Sequence, residues 1–213
     1  MPDVTDFAEL SQLLATDTFE NNGRLMIESF TRRDSEASIV LDVRTWSGEF
    51  EPQRWRLSFA DLRGWRISDG AVYRVELLDR HVLLARYQDE HVQLAFNGHA
   101  HDPRHAVADL LARHLALAGD WIAFDTYLNP SLPLAELLSF GSGVLAEGPR
   151  RFIAAYTEVL AARGVEASEF HRRMPLRWNG QNWEPERQDV QLLLCSPDSW
   201  LIGAGFHAER LGA

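Results

Sequence analysis

Between Arg24 and Asn97, short segments of alternating apolar and polar residues follow one another with a turn signal between nearly every pair. A period of two sends successive side chains to opposite faces, so each segment reads as a strand with one buried face. The connections are too short for a crossover helix, which makes neighbouring strands antiparallel. The segments are 24–31, 37–46, 49–59, 62–68, 71–78, 81–87 and 91–96, a meander of about seven strands. Asp69-Gly70 is a type I′ hairpin dipeptide because both residues tolerate positive φ, and Pro52 marks the third segment as an edge or a bulge.

Helical periodicity flanks the meander. Phe7, Leu10, Leu13 and Leu14 share a stripe, with Asp6 and Glu9 at capping-box spacing and Asn21-Asn22-Gly23 as the stop. Asp102-Pro103 opens a second helix with an N-cap acceptor and proline at N1, and Val107, Leu110, Leu111, His114 and Ala118 form its apolar face. A strand is expected over 121–128, a short helix over 132–139, and a helix over 149–163 that ends at Gly164. Asn179-Gly180 then predicts a two-residue hairpin with Leu176 across from Trp183, followed by paired strands 188–196 and 199–207 buried on both faces.

The fold class that results is α+β: an N-terminal helix, a long antiparallel β-meander, helices packed on the sheet and a C-terminal antiparallel hairpin region. No repeat or long linker interrupts the chain. One compact domain over 1–213 is expected, with a soft seam near 97–103 between a β-rich half (1–98) and a mixed half (99–213).

Seven Trp and eleven Phe supply a packed interior. No apolar run approaches a membrane span, and the first residues lack the basic and apolar regions of a leader, so the expectation is a cytoplasmic protein with no membrane partner. All 21 basic residues are arginine, which excludes Schiff-base lysine chemistry and a P-loop lysine, and fits the usage of a GC-rich bacterial coding sequence. The net charge of −10 opposes binding to phosphate backbones. Cys195, in an apolar run with no His or Arg beside it, reads as a buried hydrophobe.

Three clusters offer chemistry. His99, His101, Asp102 and His105 are residue types that ligate zinc or iron, on a strand-to-helix loop. Their spacing matches neither the helical His-Glu-x-x-His arrangement nor another metal motif, and Asp102 has a sufficient role as a helix cap. Arg150 and Arg151, near Ser142, place guanidinium groups at the start of a helix, where an anion or the carboxylate of Glu147 would offset their opposition to the macrodipole. Trp46, Arg54, Arg56 and Trp65 interleave aromatic and cationic side chains as single-stranded nucleic-acid binders do, although strand alternation turns Trp55 inward.

None of these patterns specifies a reaction. The expectation is a non-catalytic partner-binding protein (an adaptor, an immunity-like or a chaperone-like module) with no cofactor and with a protein partner or a second copy. The alternatives are a small metal-dependent hydrolase built on the histidine loop, and an anion or nucleic-acid binder built on the arginines. The enzyme predicts the three loop histidines within metal-coordination distance in a concave pocket, and the nucleic-acid binder predicts Trp46, Trp55 or Trp65 exposed beside a contiguous basic patch. A partner protein predicts neither, and instead an exposed apolar patch of more than a few hundred Å² or a symmetric dimer contact.

Overall fold

The computed structural model describes residues 5–48, 51–68, 71–72, 74–187 and 189–211. The chain is mixed α+β, with an N-terminal helix, a long antiparallel sheet, further helices and C-terminal strands. It divides into two compact units, one of Met1–Leu84 with Asp189–Ala213 and one of Ala85–Gln188. The division does not fall at 97–103, which lies inside the second unit.

The first unit opens with α1 (Thr5–Leu14) and α2 (Asp17–Asn22); the side chain of Asp6, offered above as a cap, lies outside the described residues. Its strands are β1 (Gly23–Arg33), β2 (Glu36–Thr45), β3 (Gln53–Arg66), β4 (Ala71–Val72) and β5 (Glu76–Leu78). The segments expected at 49–59 and 62–68 are thus one strand, β3, which a register shift bends opposite Ile202 and Gly203. The Asp69-Gly70 turn lies outside the described residues.

The segment expected as a sixth strand is helical, with a 3₁₀ turn at Val82–Leu84 followed by α3 (Ala85–Gln88). Leu83, Leu84 and Ala85 are buried in succession, and the His81 imidazole accepts the Leu83 N–H at 3.2 Å.

The sheet of the first unit gains two late strands, β11 (Gln191–Ser196) and β12 (Ser199–Leu211), and runs in the order β4-β1-β2-β3-β12-β11-β5. Its terminal strands β4 and β5 are consecutive in the chain. Four peptide steps from Val72 to Glu76 span at most about 14 Å. Six strand spacings across a flat sheet are about 29 Å. The sheet is therefore curled until its two edges approach. Phe30 of β1 and Trp65 of β3, from strands separated by β2, accordingly meet with ring centroids 5.1 Å apart. The inner face carries Ile39, Leu41, Trp55, Leu57, Phe59 and Leu201, all buried, and α1 adds Leu10 and Phe7, the latter edge-on to Phe206 at 5.2 Å. Cys195 is buried in the same core, which pushes its thiol up to about 12.

The second unit contains a three-stranded sheet, ordered β7-β6-β8, of β6 (His91–Asn97), β7 (Ser142–Pro149) and β8 (Glu166–Arg173). The seventh expected strand thus belongs to a different sheet from the first five segments. Helices α4 (Pro103–Ala118) and α6 (Arg150–Ala162) pack together, and α6 contacts all three strands, covering Val92, Leu94 and Phe96. The strand expected over 121–128 is a 3₁₀ turn at Phe124–Tyr127, from which only Leu128 bridges to Ala146; the short helix α5 spans Leu134–Leu137.

His114 is fully buried between α4 and α6. Its Nε2 donates to the Ile122 carbonyl at 2.7 Å, and its Nδ1 is hydrogen-bonded to the Tyr156 hydroxyl at 2.7 Å. This is a satisfied core histidine.

The last element of the unit is a hairpin of β9 (Leu176–Trp178) and β10 (Trp183–Pro185). Its loop has four residues, not two. The Asn179 carboxamide oxygen accepts the N–H groups of Gln181 and Asn182, and Gly180 takes φ of 100°. Leu176 consequently faces Pro185 and Trp178 faces Trp183, which corrects the expected Leu176–Trp183 register.

Candidate partner-binding site

Along β9 and β10 the alternation separates two faces. Arg177 and Glu184 are cross-strand partners on one face and form an ion pair, with side chains only 24% and 33% exposed. Leu176, Trp178, Trp183 and Pro185 share the other, where Leu176 is 52% exposed, Trp178 54% and Trp183 67%. The two indoles touch, with centroids 5.7 Å apart. The hairpin is thus inverted relative to an ordinary surface element: its charges point inward and its largest apolar groups outward.

At about 250 Å² per tryptophan side chain, the pair leaves roughly 300 Å² of indole in water. At about 25 cal/mol per Å², roughly 7 kcal/mol of burial is left unrealised. Met174, just before β9, is also exposed.

A cleft of about 410 Å³ adjoins this face, lined by Arg86, Tyr87, His91, Arg173, Leu176 and Trp183 among others. Its position follows from a bulge between β6 and β8: His91 pairs with Arg173 but Gln93 pairs with Phe170, so β8 carries one extra residue. His171, within the bulge, takes φ of 50°, in the left-handed region that histidine enters more readily than most residues. Beyond the bulge, His91 and Arg173 are direct partners and share a face.

The His91 Nε2–H donates to the Arg86 carbonyl at 3.0 Å, which fixes the backbone beneath the Arg86 side chain. Burial lowers the His91 pKa below the usual histidine value. The Arg86 guanidinium lies 5.2 Å over the Tyr87 ring and has no carboxylate partner among the described residues. Glu186, largely buried, also lines the cleft, and its Oε1 accepts the Arg187 N–H at 2.9 Å.

The clusters singled out in the sequence lie elsewhere. Of the histidine loop, the structure brings together only Asp102 and His105, whose Nδ1–H donates to Oδ2 at 2.5 Å. Asp102 also caps α4, accepting the Arg104 and His105 N–H groups at 3.1 Å, and the His105 hydrogen bond holds its carboxyl below the usual range. His99 turns away: Nδ1 donates to the Ser139 carbonyl at 3.1 Å, and its ring lies against Gly141, where a Cβ would come within 2.6 Å of it. His101 is exposed on the loop. No group of three metal-ligating side chains converges among the described residues.

Arg150 and Arg151 do begin a helix, with intramolecular partners. Arg150 bonds Glu169 at 3.1 Å and lies 3.8 Å from Glu90, while Arg151 takes both oxygens of Asp89. Glu147, the partner expected from spacing, instead binds Arg173 and Gln93. Ser142 stands at the opposite end of β7 from Pro149, about 23 Å along the strand, so it joins no site with the arginines.

The Arg/Trp series is dispersed in the same way. Arg54 is held by both oxygens of Glu28, each at 2.7 Å, and Arg56 by Glu209. Trp46 is exposed beneath the Arg24 guanidinium at 4.8 Å, and Trp65 is partly covered by Phe30. Trp55 is fully buried, as the alternation implies.

Sequence reasoning passed over Trp178, Trp183, Arg86 and His91. Alternation alone puts Leu176, Trp178 and Trp183 on one face in either hairpin register, and that signal was present. The cleft carried no local signal, because its walls come from α3, β6, β8 and the hairpin. Comparison with protein-family models, with curated proteins and with solved structures finds no match.

Proposed function

We propose that this chain is a non-catalytic binding protein that docks a protein partner through the outward face of β9 and β10. The observation that carries the reading is the inverted hairpin, in which two touching tryptophans are more than half exposed while an ion pair occupies the inner face. Isolated exposed apolar residues are ordinary, whereas two touching indoles on one face make a contiguous patch of roughly 300 Å², the size at which a monomer's largest patch is often functional. Paired aromatics are also the side chains that anchor protein interfaces, because they bury a large area for little lost rotamer freedom. Partner binding further accords with histidines, arginines and carboxylates that are paired internally elsewhere on the chain.

Selection of a random peptide display library on the intact wild-type protein, with depletion against the Trp178→Ser/Trp183→Ser double variant, tests the proposal. Enriched peptides that bind the wild type and lose at least tenfold on the variant are the expected result. Peptides that bind both proteins equally would overturn it.

A further inference from the structure

We infer that the cleft beside the hairpin sets the partner's chemistry: it accepts a peptide segment that carries a carboxylate next to a bulky apolar side chain. The inference rests on the partner-binding reading above and specifies who binds.

Charge is the first argument. The whole chain is −10, yet residues 171–187 hold four arginines (172, 173, 177 and 187) and two glutamates (184 and 186), a balance of +2. Arg86 adds a further positive charge to the cleft. An acidic segment meets a net positive charge on this stretch of an otherwise acidic chain, which favours its approach here. A second copy in a two-fold contact would instead set the positive hairpin against itself.

The cleft's own groups make the second argument. Arg86 has no carboxylate partner among the described residues, and with its Cζ 5.2 Å over the Tyr87 ring its N–H groups are left for an incoming acceptor. Arg173 engages Glu147 through Nη2, one of three guanidinium nitrogens. Of the lining cations Arg173 is paired with Glu147, so Arg86 is the one left for an incoming carboxylate. His91 contributes the complement: with Nε2–H committed to the Arg86 carbonyl, Nδ1 of the neutral ring accepts a hydrogen bond from a partner N–H or hydroxyl. Leu176 and Trp183 form the apolar wall. A volume of about 410 Å³ suits a few side chains and not a folded surface.

The test uses two fluorescein-labelled twelve-residue peptides, one alternating glutamate with phenylalanine and one alternating glutamine with phenylalanine. Each is titrated with full-length protein and followed by anisotropy at low salt. The expected result is at least tenfold tighter binding of the acidic peptide by wild type, with that preference lost in Arg86→Gln/Arg173→Gln. Arg86→Gln alone serves if the double variant is misfolded by circular dichroism, because Arg86 is exposed and carries no internal ion pair. Equal binding of the two peptides, binding of neither, or a preference that survives the arginine substitutions overturns the inference.

The two levels of the reading separate cleanly. Binding without charge preference that is lost in Trp178→Ser/Trp183→Ser leaves the hairpin as the docking surface and removes only the acidic chemistry. Acid-selective binding unaffected by the tryptophan substitutions removes the hairpin reading. A wild-type dimer by light scattering that the same substitutions dissolve assigns the surface to a second copy and likewise overturns the acidic-peptide inference.

Discussion

Two antiparallel hairpins in this chain, β9–β10 and β11–β12, are made of similar material and meet opposite fates. Both carry large apolar groups on either side of a short turn. In β11–β12 the strands are flanked by β5 and β3, and Leu192, Leu193, Leu194, Leu201 and Ile202 are buried on both faces. In β9–β10 the two strands form a sheet of their own, and the apolar face meets water. A two-stranded sheet is marginal in isolation. This one is held by the Arg177–Glu184 pair, the indole contact and the Glu186 N–H bonded to the Pro175 carbonyl at 2.9 Å. Hydropathy marks both hairpins as sticky; the presence of neighbouring strands decides which is core and which is surface.

The contrast is simplest to break with tryptophans. Trp55→Ala, inside the curled sheet, is expected to cost about 3–5 kcal/mol, read as a fall in the urea midpoint. Trp183→Ala removes only the exposed cross-strand contact with Trp178 and should cost no more than about 1 kcal/mol. Comparable losses at the two positions would mean that the hairpin face is not exposed in solution. Next in size is Tyr156→Phe, which strips the partner from the buried His114 Nδ1 and is expected to cost about 1–3 kcal/mol in the same measurement. A neutral result there would mean that His114 finds another hydrogen-bond partner.

Titration sharpens the comparison within each unit. His81 and His91 both have lowered pKa values, chiefly from burial. Their unfolded forms take up protons first as pH falls through about 6.5, so stability holds above that value and declines below it. The expected observation is a falling urea midpoint between pH 7 and pH 5, with the His91 ring resonance titrating below about 6.5 by NMR. On the alkaline side, burial raises Tyr127 to about 12 and raises Tyr156 as well. With the Cys195 thiol also at about 12, the folded state keeps protons that the unfolded chain releases, and stability should decline as pH rises past about 9. The smallest effect is on the thiol itself: Cys195 should be inert to a thiol reagent in the native protein and react fully in denaturant. Reaction without denaturant would place it outside the core.

Much of the fold was legible because its signals are local. The Asp102-Pro103 start of α4, the stripe of α1, the run of α6 and the paired strands β11 and β12 all follow from a few adjacent residues. What escaped was decided by distant partners. Residues 166–173, rich in charge and poor in apolar side chains, become β8 only because β6 offers an open edge. Residues 81–87 hold too few positions to separate a helical from a strand period. The curl of the first sheet depends on β5 joining β11, strands more than a hundred residues apart. For the binding surface, the sequence disclosed which side chains share a face and not that nothing covers it.

The pairing of β5 with β11 has one more consequence. Leu78 sits directly opposite Leu192, so the chain leaves the first sheet and re-enters it at adjacent strands, with residues 85–188 threaded between as an insert. Closing that ladder around an unstructured insert costs about 2 kcal/mol more than closing a ten-residue loop, because closure entropy grows with the logarithm of length. An insert that has already condensed lifts most of this handicap, because its two ends are then held near each other before the ladder closes. The same arrangement makes residues 85–188 a cassette, removable in principle by a short splice between neighbouring strands.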